Sequence, residues 1–306
     1  MARERYTAQV SLLVSAIPIV ADEPNFSLKG GTAINLFYRD MPRLSVDIDL
    51  TYVPLHDRDT ALANIDAAFD RIVERARKSL RGVNAQRISG GGDGDTRILL
   101  RSADAEVKIE VSPVLRGTVK APHTMRVTDA VEEAFGFAEM SVLAFEDIYA
   151  GKICAALDRQ HPRDLYDIHL LYQHEGINDD LFRTFLVYVA CSGRPIHELI
   201  DPNRIDIDRA FAQEFDGMTI EHVTLETLLA ARERLIEDIR ARIDGPAAEF
   251  LLSLHEAQPD FSLIGLPEAA DLPAVRWKLI NLRKLMAQNP EKHADLRGRL
   301  NAAIGR

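Results

Sequence analysis

Apolar residues recur along this chain with two different periods. Between Asp59 and Leu80 they fall at Leu62, Ile65, Ala68, Phe69, Ile72 and Val73, the spacing of a helix with one buried face. Between Val107 and Val111 they alternate with Lys108 and Glu110, the spacing of a strand with one covered face. Along the first half, these periods predict a helix over Tyr6–Val20, a short strand over Asn25–Lys29 closed by Gly30-Gly31, and a helix over Thr32–Tyr38. A strand over Ile48–Val53 and the helix Asp59–Leu80 follow, then strands near Val83–Ile88, Arg97–Arg101 and Val107–Val111. The loop Gly90–Gly94 joins two of these strands with no helix after it, so it reads as a hairpin tip and not a phosphate cradle. From about Ser141 the pattern turns helical: Phe145–Leu157, Pro162–His174, Asp179–Cys191, Leu225–Ile243, Pro246–Ala257, Pro273–Ala287 and Asn289–Ile304. The expected fold class is α+β (α/β): a small mixed-sheet domain over residues 1–140, followed by an all-helical domain over 141–306.

Two short segments change the picture from fold to chemistry. In Ser45-Val46-Asp47-Ile48-Asp49-Leu50, residues two apart on a strand share a face. Asp47 and Asp49 therefore project together, while Val46, Ile48 and Leu50 turn to the core. Like charges this close repel unless a cation lies between them, and Mg²⁺, which takes carboxylate and triphosphate oxygens, fits that place. Alone, the pair reads first as a solvated strand edge with two exposed aspartates. Upstream, Leu28-Lys29-Gly30-Gly31-Thr32-Ala33 ends a strand and opens a helix. Gly30 and Gly31 let the backbone turn tightly, and the first helical N–H groups with the Thr32 hydroxyl can hold a phosphate. Taken singly, this is an ordinary turn with Thr32 as helix cap. Together, a phosphate cradle and a carboxylate pair separated by one helix are the two halves of a triphosphate site.

The segment LKGGTAINLFYRDMPRLSVDIDL, residues 28–50, resembles the N-terminal signature of the AbiEii/AbiGii toxin nucleotidyltransferases, within the DNA polymerase β-like nucleotidyltransferase superfamily. GKICAALDRQHPRDLYDIHLL, residues 151–171, is similar to the family's second signature, a lysine, then an arginine, then Arg-Asp-x-x-Asp. The resemblance implies a nucleotidyltransferase fold in the N-terminal domain, an NTP substrate and two divalent ions, Mg²⁺ or Mn²⁺. It further implies an RNA acceptor, tRNA first, and a role as the toxin of a toxin–antitoxin or phage-defence pair with a cognate antitoxin. Residue by residue, Gly31 and Thr32 match the phosphate-holding turn, Asp47 and Asp49 the metal ligands, and Arg43 and Ser45 the residues that often precede them. Lys152 matches the lysine that holds triphosphate, and Asp164 a candidate base for the acceptor hydroxyl. Thr32 replaces the serine of many members and keeps the hydroxyl.

Read without the resemblance, Lys152 and Arg159 lie seven apart on one helix face, and Arg163, Asp164 and Asp167 line one side of the helix opened by Pro162. Such a cluster also serves as a salt-bridged helix pair. Lys152 and Asp164 are taken as site residues contributed by the helical domain, and Asp167 as equally at home in a structural pair. Glu110, on the polar side of Val107–Val111, is the candidate third carboxylate for metal, against the plainer reading of an exposed Lys108–Glu110 pair.

Composition narrows the setting. Hydrophobic residues make up 46% and charged residues 27%, the balance of a globular protein, and no apolar run has the ~20 residues of a membrane span. Val10–Ala21 is broken by Ser11, Ser15 and Pro18 and lacks a basic flank, so it reads as a core helix and not a secretion signal. Cys154 and Cys191 sit apart in apolar segments, which suggests free thiols in the cytoplasm. A net charge of -10 means that any RNA must be held by a local patch. The candidates are Arg71, Arg75, Arg77, Lys78 and Arg81, or Arg276 through Arg299 near the C-terminus, each otherwise a solvated face. Trp277 reads as a packing anchor ahead of a base-stacking platform. Two other classes share these residues: nucleotidyl or phosphoryl transfer onto a protein, and a non-catalytic nucleotide- or partner-binding module.

Overall fold

The computed structural model describes residues 2–88 and 97–305; the Gly90–Gly94 loop lies outside them. The chain divides into two compact units, residues 1–144 with 218–220, and residues 145–217 with 221–306.

The first unit opens with α1 (Ala2–Ala21), then β1 (Phe26–Lys29) and α2 (Gly30–Ala33), which runs on into a wider π turn over Ile34–Tyr38. β2 (Asp47–Tyr52), α3 (Arg58–Ser79), β3 (Asn84–Ile88), β4 (Arg97–Arg101) and β5 (Glu106–Val111) follow, and β6 (His123–Arg126), α4 (Asp129–Phe135) and β7 (Glu139–Val142) complete it. The strands form one seven-stranded mixed sheet in the order β3-β4-β5-β2-β1-β7-β6. The central strand β2 pairs antiparallel with β1 and parallel with β5. β7 pairs parallel with β1 through Leu28 and Val142, so the sheet continues past residue 140. The strands β6 and β7 have no counterpart in the apolar pattern. They are four residues each, and β6 is almost wholly exposed, which leaves too short an alternation to read.

The helix α3 forms because Asp57 caps it, accepting from the Thr60 N–H at 3.0 Å, and because Ile65, Phe69, Ile72 and Val73 make one buried stripe. Phe69 meets Phe26 edge-on, with ring centroids 6.0 Å apart, and Phe26 meets Tyr52 at 6.1 Å. Burying one such ring contributes roughly 1.5–3 kcal/mol. This layer fixes the core side of β1 and β2 and leaves their other face for polar residues.

The second unit is helical: α5 (Phe145–Arg159), α6 (Pro162–Gln173), α7 (Asp179–Cys191), α8 (Ile196–Ile200), α9 (Asp208–Glu214), α10 (Leu225–Arg242), α11 (Gly245–His255), α12 (Pro273–Gln288) and α13 (Pro290–Ala303). The short α8 and α9 went unread in the sequence. Pro162 begins α6 directly after its cap His161, whose Nδ1 accepts from the Arg163 N–H at 3.1 Å. Among the described residues no helix is long and apolar enough to cross a membrane.

Candidate active site

β1 carries Lys29 to the glycine turn, and β2 returns beside it, so the ladder sets Lys29 opposite Asp49. On the other side of β2, Asp47 lies beside Lys108 and Asp49 beside Glu110. Ile48 and Leu50 are fully buried, whereas Asp47 and Asp49 are half-buried. The two carboxylates thus emerge on one face, away from the core. Burial pushes the Lys29 ammonium below its ordinary value, and Asp49 opposes that shift.

Each glycine of the turn has its own reason. Gly30 has φ +75°, and a Cβ there would come 2.6 Å from Oδ2 of Asp49. A Cβ on Gly31 would come 2.7 Å from Nη2 of Arg43 and 3.0 Å from Oγ of Ser45. The turn is therefore packed against the Asp49 carboxylate through Gly30 and against Arg43 and Ser45 through Gly31.

The expected nucleotide contacts Thr32, Arg43 and Ser45 lie beneath this turn. Thr32 is buried and sits inside the helix, not at its cap; its hydroxyl donates to the Asp47 carbonyl and lies 2.9 Å from Oγ of Ser45. It ties the first residue of β2 to the turn. Arg43 is buried, and its Nη1 donates to the Leu44 carbonyl at 2.8 Å. The sequence reading missed Asn35. This fully buried amide donates to the Gly31 carbonyl at 2.7 Å and accepts from the Arg43 N–H at 3.3 Å. Its signal was one polar residue inside Ala-Ile-Asn-Leu-Phe, where burial demands partners. Residues 218–220 brace the strap that joins the turn to β2, residues 39–46: the Leu44 N–H donates to the Met218 carbonyl, and the Ile220 N–H to that of Pro42, both at 3.0 Å.

Glu110, expected as third metal ligand, lies beside Asp49 in the ladder and pairs with an arginine. Its Oε1 meets Nε of Arg97 at 3.0 Å, and among the described residues no three His, Cys, Asp or Glu side chains are grouped to hold a metal. The parallel register brings Glu110 beside Asp49, but the cross-strand arginine holds its carboxylate.

In the second unit, Lys152 of α5 lies between two aspartates of α6. Its Nζ is 2.9 Å from Asp164 and 2.8 Å from Asp167, and all three are buried. Arg159 also grips Asp164, with Nε at 2.5 Å and Nη2 at 3.0 Å. Burial raises the Asp164 pKa, but Lys152 and Arg159 outweigh it and hold the carboxyl well below the usual range. Asp167 shares Lys152 equally, which heptad-like spacing could not separate from an ordinary helix pair.

The family model for the AbiEii toxin, a nucleotidyl transferase of type IV toxin–antitoxin systems, matches residues 11–281 and so spans both clusters. The chain belongs to this family. It is a nucleotidyltransferase toxin by that membership. A search against curated protein sequences gives no significant match. Among solved structures, MenT4, a nucleotidyltransferase toxin from Mycobacterium tuberculosis H37Rv, is similar in fold. Its TM-score is 0.61 at 14% identity, covering 90% of this chain and 93% of that one.

Within this AbiEii-family chain the basic runs of the sequence are largely spent internally. Arg71 and Arg75 both clamp the buried Glu23, Arg77 donates to the Ala85 carbonyl, and Lys78 pairs with Glu74. Near the C-terminus Arg297 meets Glu256 and Arg299 meets Asp295. Lys278 is buried, donates to the Ser192 and Arg194 carbonyls, and burial lowers its pKa to about 8. Trp277, expected as a packing anchor, is instead 55% exposed. Both cysteines are free, and burial pushes the Cys191 thiol up to about 12.

Proposed function

We propose that this toxin transfers a nucleotide from an NTP to an RNA acceptor, with tRNA first among candidates, in the cytoplasm, where both are found. The observation that carries it is the contact between the Gly30 turn and the Asp49 carboxylate: phosphate cradle and acidic pair are one assembly. Asp47 and Asp49 suit a divalent ion, Mg²⁺ or Mn²⁺, because such ions are often held by one or two carboxylates with substrate oxygens completing the shell. Glu110, beside Asp49 in the ladder, is the candidate third carboxylate for the ions the resemblance implies, in exchange for its pairing with Arg97. Bound there, the metal would neutralise triphosphate charge and lower the pKa of an attacking hydroxyl.

The protein's own groups divide the remaining work. Backbone N–H groups of the Gly30–Thr32 turn would hold phosphate, and Thr32, Asn35, Ser45 and Arg43 support the turn. Lys152 is the candidate cation for triphosphate. Asp164, kept ionised by two cations, is a poor proton acceptor. In this reading it and Asp167 orient Lys152, and neither is the base for the acceptor hydroxyl. A cognate antitoxin follows from the family's type IV systems, and phage defence is one setting for the pair. Incubating the protein and Mg²⁺ with each α-labelled NTP, with and without total tRNA, tests the acceptor. Label in RNA supports the reading; label in protein, or in neither, overturns it.

A further inference from the structure

The 34 residues from Pro273 onward hold eight Lys or Arg and two Asp or Glu, a net +6 in a chain whose total is -10. The helix α12 has four basic residues and no acidic one. Its inner side is Ala274, Val275, Lys278 and Leu282, with Lys278 turned in to carbonyls. Its outer side presents Trp277 and Ile280, 55% and 54% exposed and one turn apart. At helical spacing that row runs on to Lys284, with Arg276 and Arg283 alongside.

Arg276 meets Asp271 at 2.7 Å, while Arg283 donates to the Ala257 carbonyl at 3.3 Å. Among the described residues neither Arg283 nor the exposed Lys284 has a carboxylate partner. An exposed aromatic beside an exposed aliphatic offers a small apolar surface to a ligand. Uncompensated positive charge around it, in an acidic protein, selects a polyanion. The flat indole face selects bases that are not already stacked, since duplex RNA hides its base faces and unpaired RNA offers them.

We propose that the outer face of α12 binds unpaired nucleotides of the RNA acceptor, with Trp277 stacking on a base, Ile280 beneath its edge, and Arg283 and Lys284 on flanking phosphates. This rests on the RNA-acceptor reading above and adds where the protein grips that RNA.

Trp277 is the only tryptophan, so fluorescence excited at the red edge, where the seven tyrosines do not absorb, reports on this face alone. The full chain is titrated with a short unpaired oligoribonucleotide, without NTP or metal, and followed by fluorescence and by anisotropy of labelled RNA. Saturable quenching with the same midpoint as the anisotropy is expected. Trp277→Ala should weaken binding about tenfold, and Trp277→Phe, which keeps a ring, much less. Arg283→Glu with Lys284→Glu should reduce the slope of log affinity against log salt by about 1.4, some 0.7 for each lost phosphate contact.

RNA binding without quenching, unchanged affinity in Trp277→Ala, no RNA binding at all, or equal quenching by duplex RNA or polyglutamate would each overturn the proposal. Because no transfer is needed, Asp49→Ala protein should quench as the wild type does. Quenching without transfer would remove the catalytic reading alone, and transfer to RNA without quenching would remove this one alone.

Discussion

Asp49 and Asp164 are both aspartates set against a cation, yet their surroundings differ in kind. Asp164 is 1% exposed, Lys152 beside it is 7% exposed, and buried Asp167 completes a charged knot that reaches water only through Arg159. Asp49 is half-buried on a sheet face, across the ladder from Lys29 and against a turn that has no side chain. The Asp164 carboxylate is shut off from water and the Asp49 carboxylate is half-open to it, so the same deletion has different costs. A buried knot holds shape because breaking it strands a charge. A screened row of charges holds shape weakly and can be given over to a ligand.

Five substitutions sharpen this contrast, the largest effect first. Asp47→Ala and Asp49→Ala should each lower nucleotidyl transfer about a thousandfold or more while moving the unfolding temperature by no more than about 2 °C. Calorimetry beside an activity assay checks both halves, and a large loss of stability would erase the distinction between the clusters. Lys152→Met should lower transfer as well but, unlike those two, should cost about 3–5 kcal/mol in denaturant unfolding because two buried carboxylates lose their shared cation. If it proves as stable as wild type, the knot is not structural.

Gly30→Ala tests the contact between turn and acid. A φ of +75° costs a side chain about 1–2 kcal/mol, and the new Cβ must displace the Asp49 carboxylate. A modest fall in unfolding temperature with a drop in kcat of about tenfold or more is expected. Unaltered kcat would show that the position of Asp49 does not matter.

The smallest effect concerns pH. The folded pKa of Asp164 is depressed, so its stabilisation is complete above the ordinary carboxylate value and is lost as pH falls below about 4 toward the depressed one. The stability of Asp164→Asn should therefore vary less with pH between about 4 and 2 than that of the wild type. Equal acid slopes would mean that the knot does not hold Asp164 ionised.

The sequence disclosed these regions unevenly. Alternation was enough to place Asp47 and Asp49 on one face of β2, because Ile48 and Leu50 had to be buried. Gly30-Gly31 was legible as a turn, but not its tight approach to Asp49 and Arg43, which depends on a strand and strap distant in the chain. Thr32, Arg43 and Ser45 carry polar groups that suit phosphate, and spacing alone cannot show that Thr32 and Arg43 also bond to the backbone and Ser45 to Thr32. The pairing of Glu110 with Arg97 needed the β4–β5 register. For Trp277 the information was present: Ala274, Val275, Lys278 and Leu282 form the inner stripe of α12, which leaves the indole outside it.

The most direct measurement follows both ends of the triphosphate in one reaction. Wild-type protein, Mg²⁺ and the preferred NTP are combined with RNA, with label at the α-phosphate in one sample and at the γ-phosphate in the other. The account predicts α-label in RNA and γ-label in pyrophosphate, in equal amounts, with both absent for Asp49→Ala. Transfer of γ-label to RNA or protein, or product formation that survives in Asp49→Ala, would contradict it.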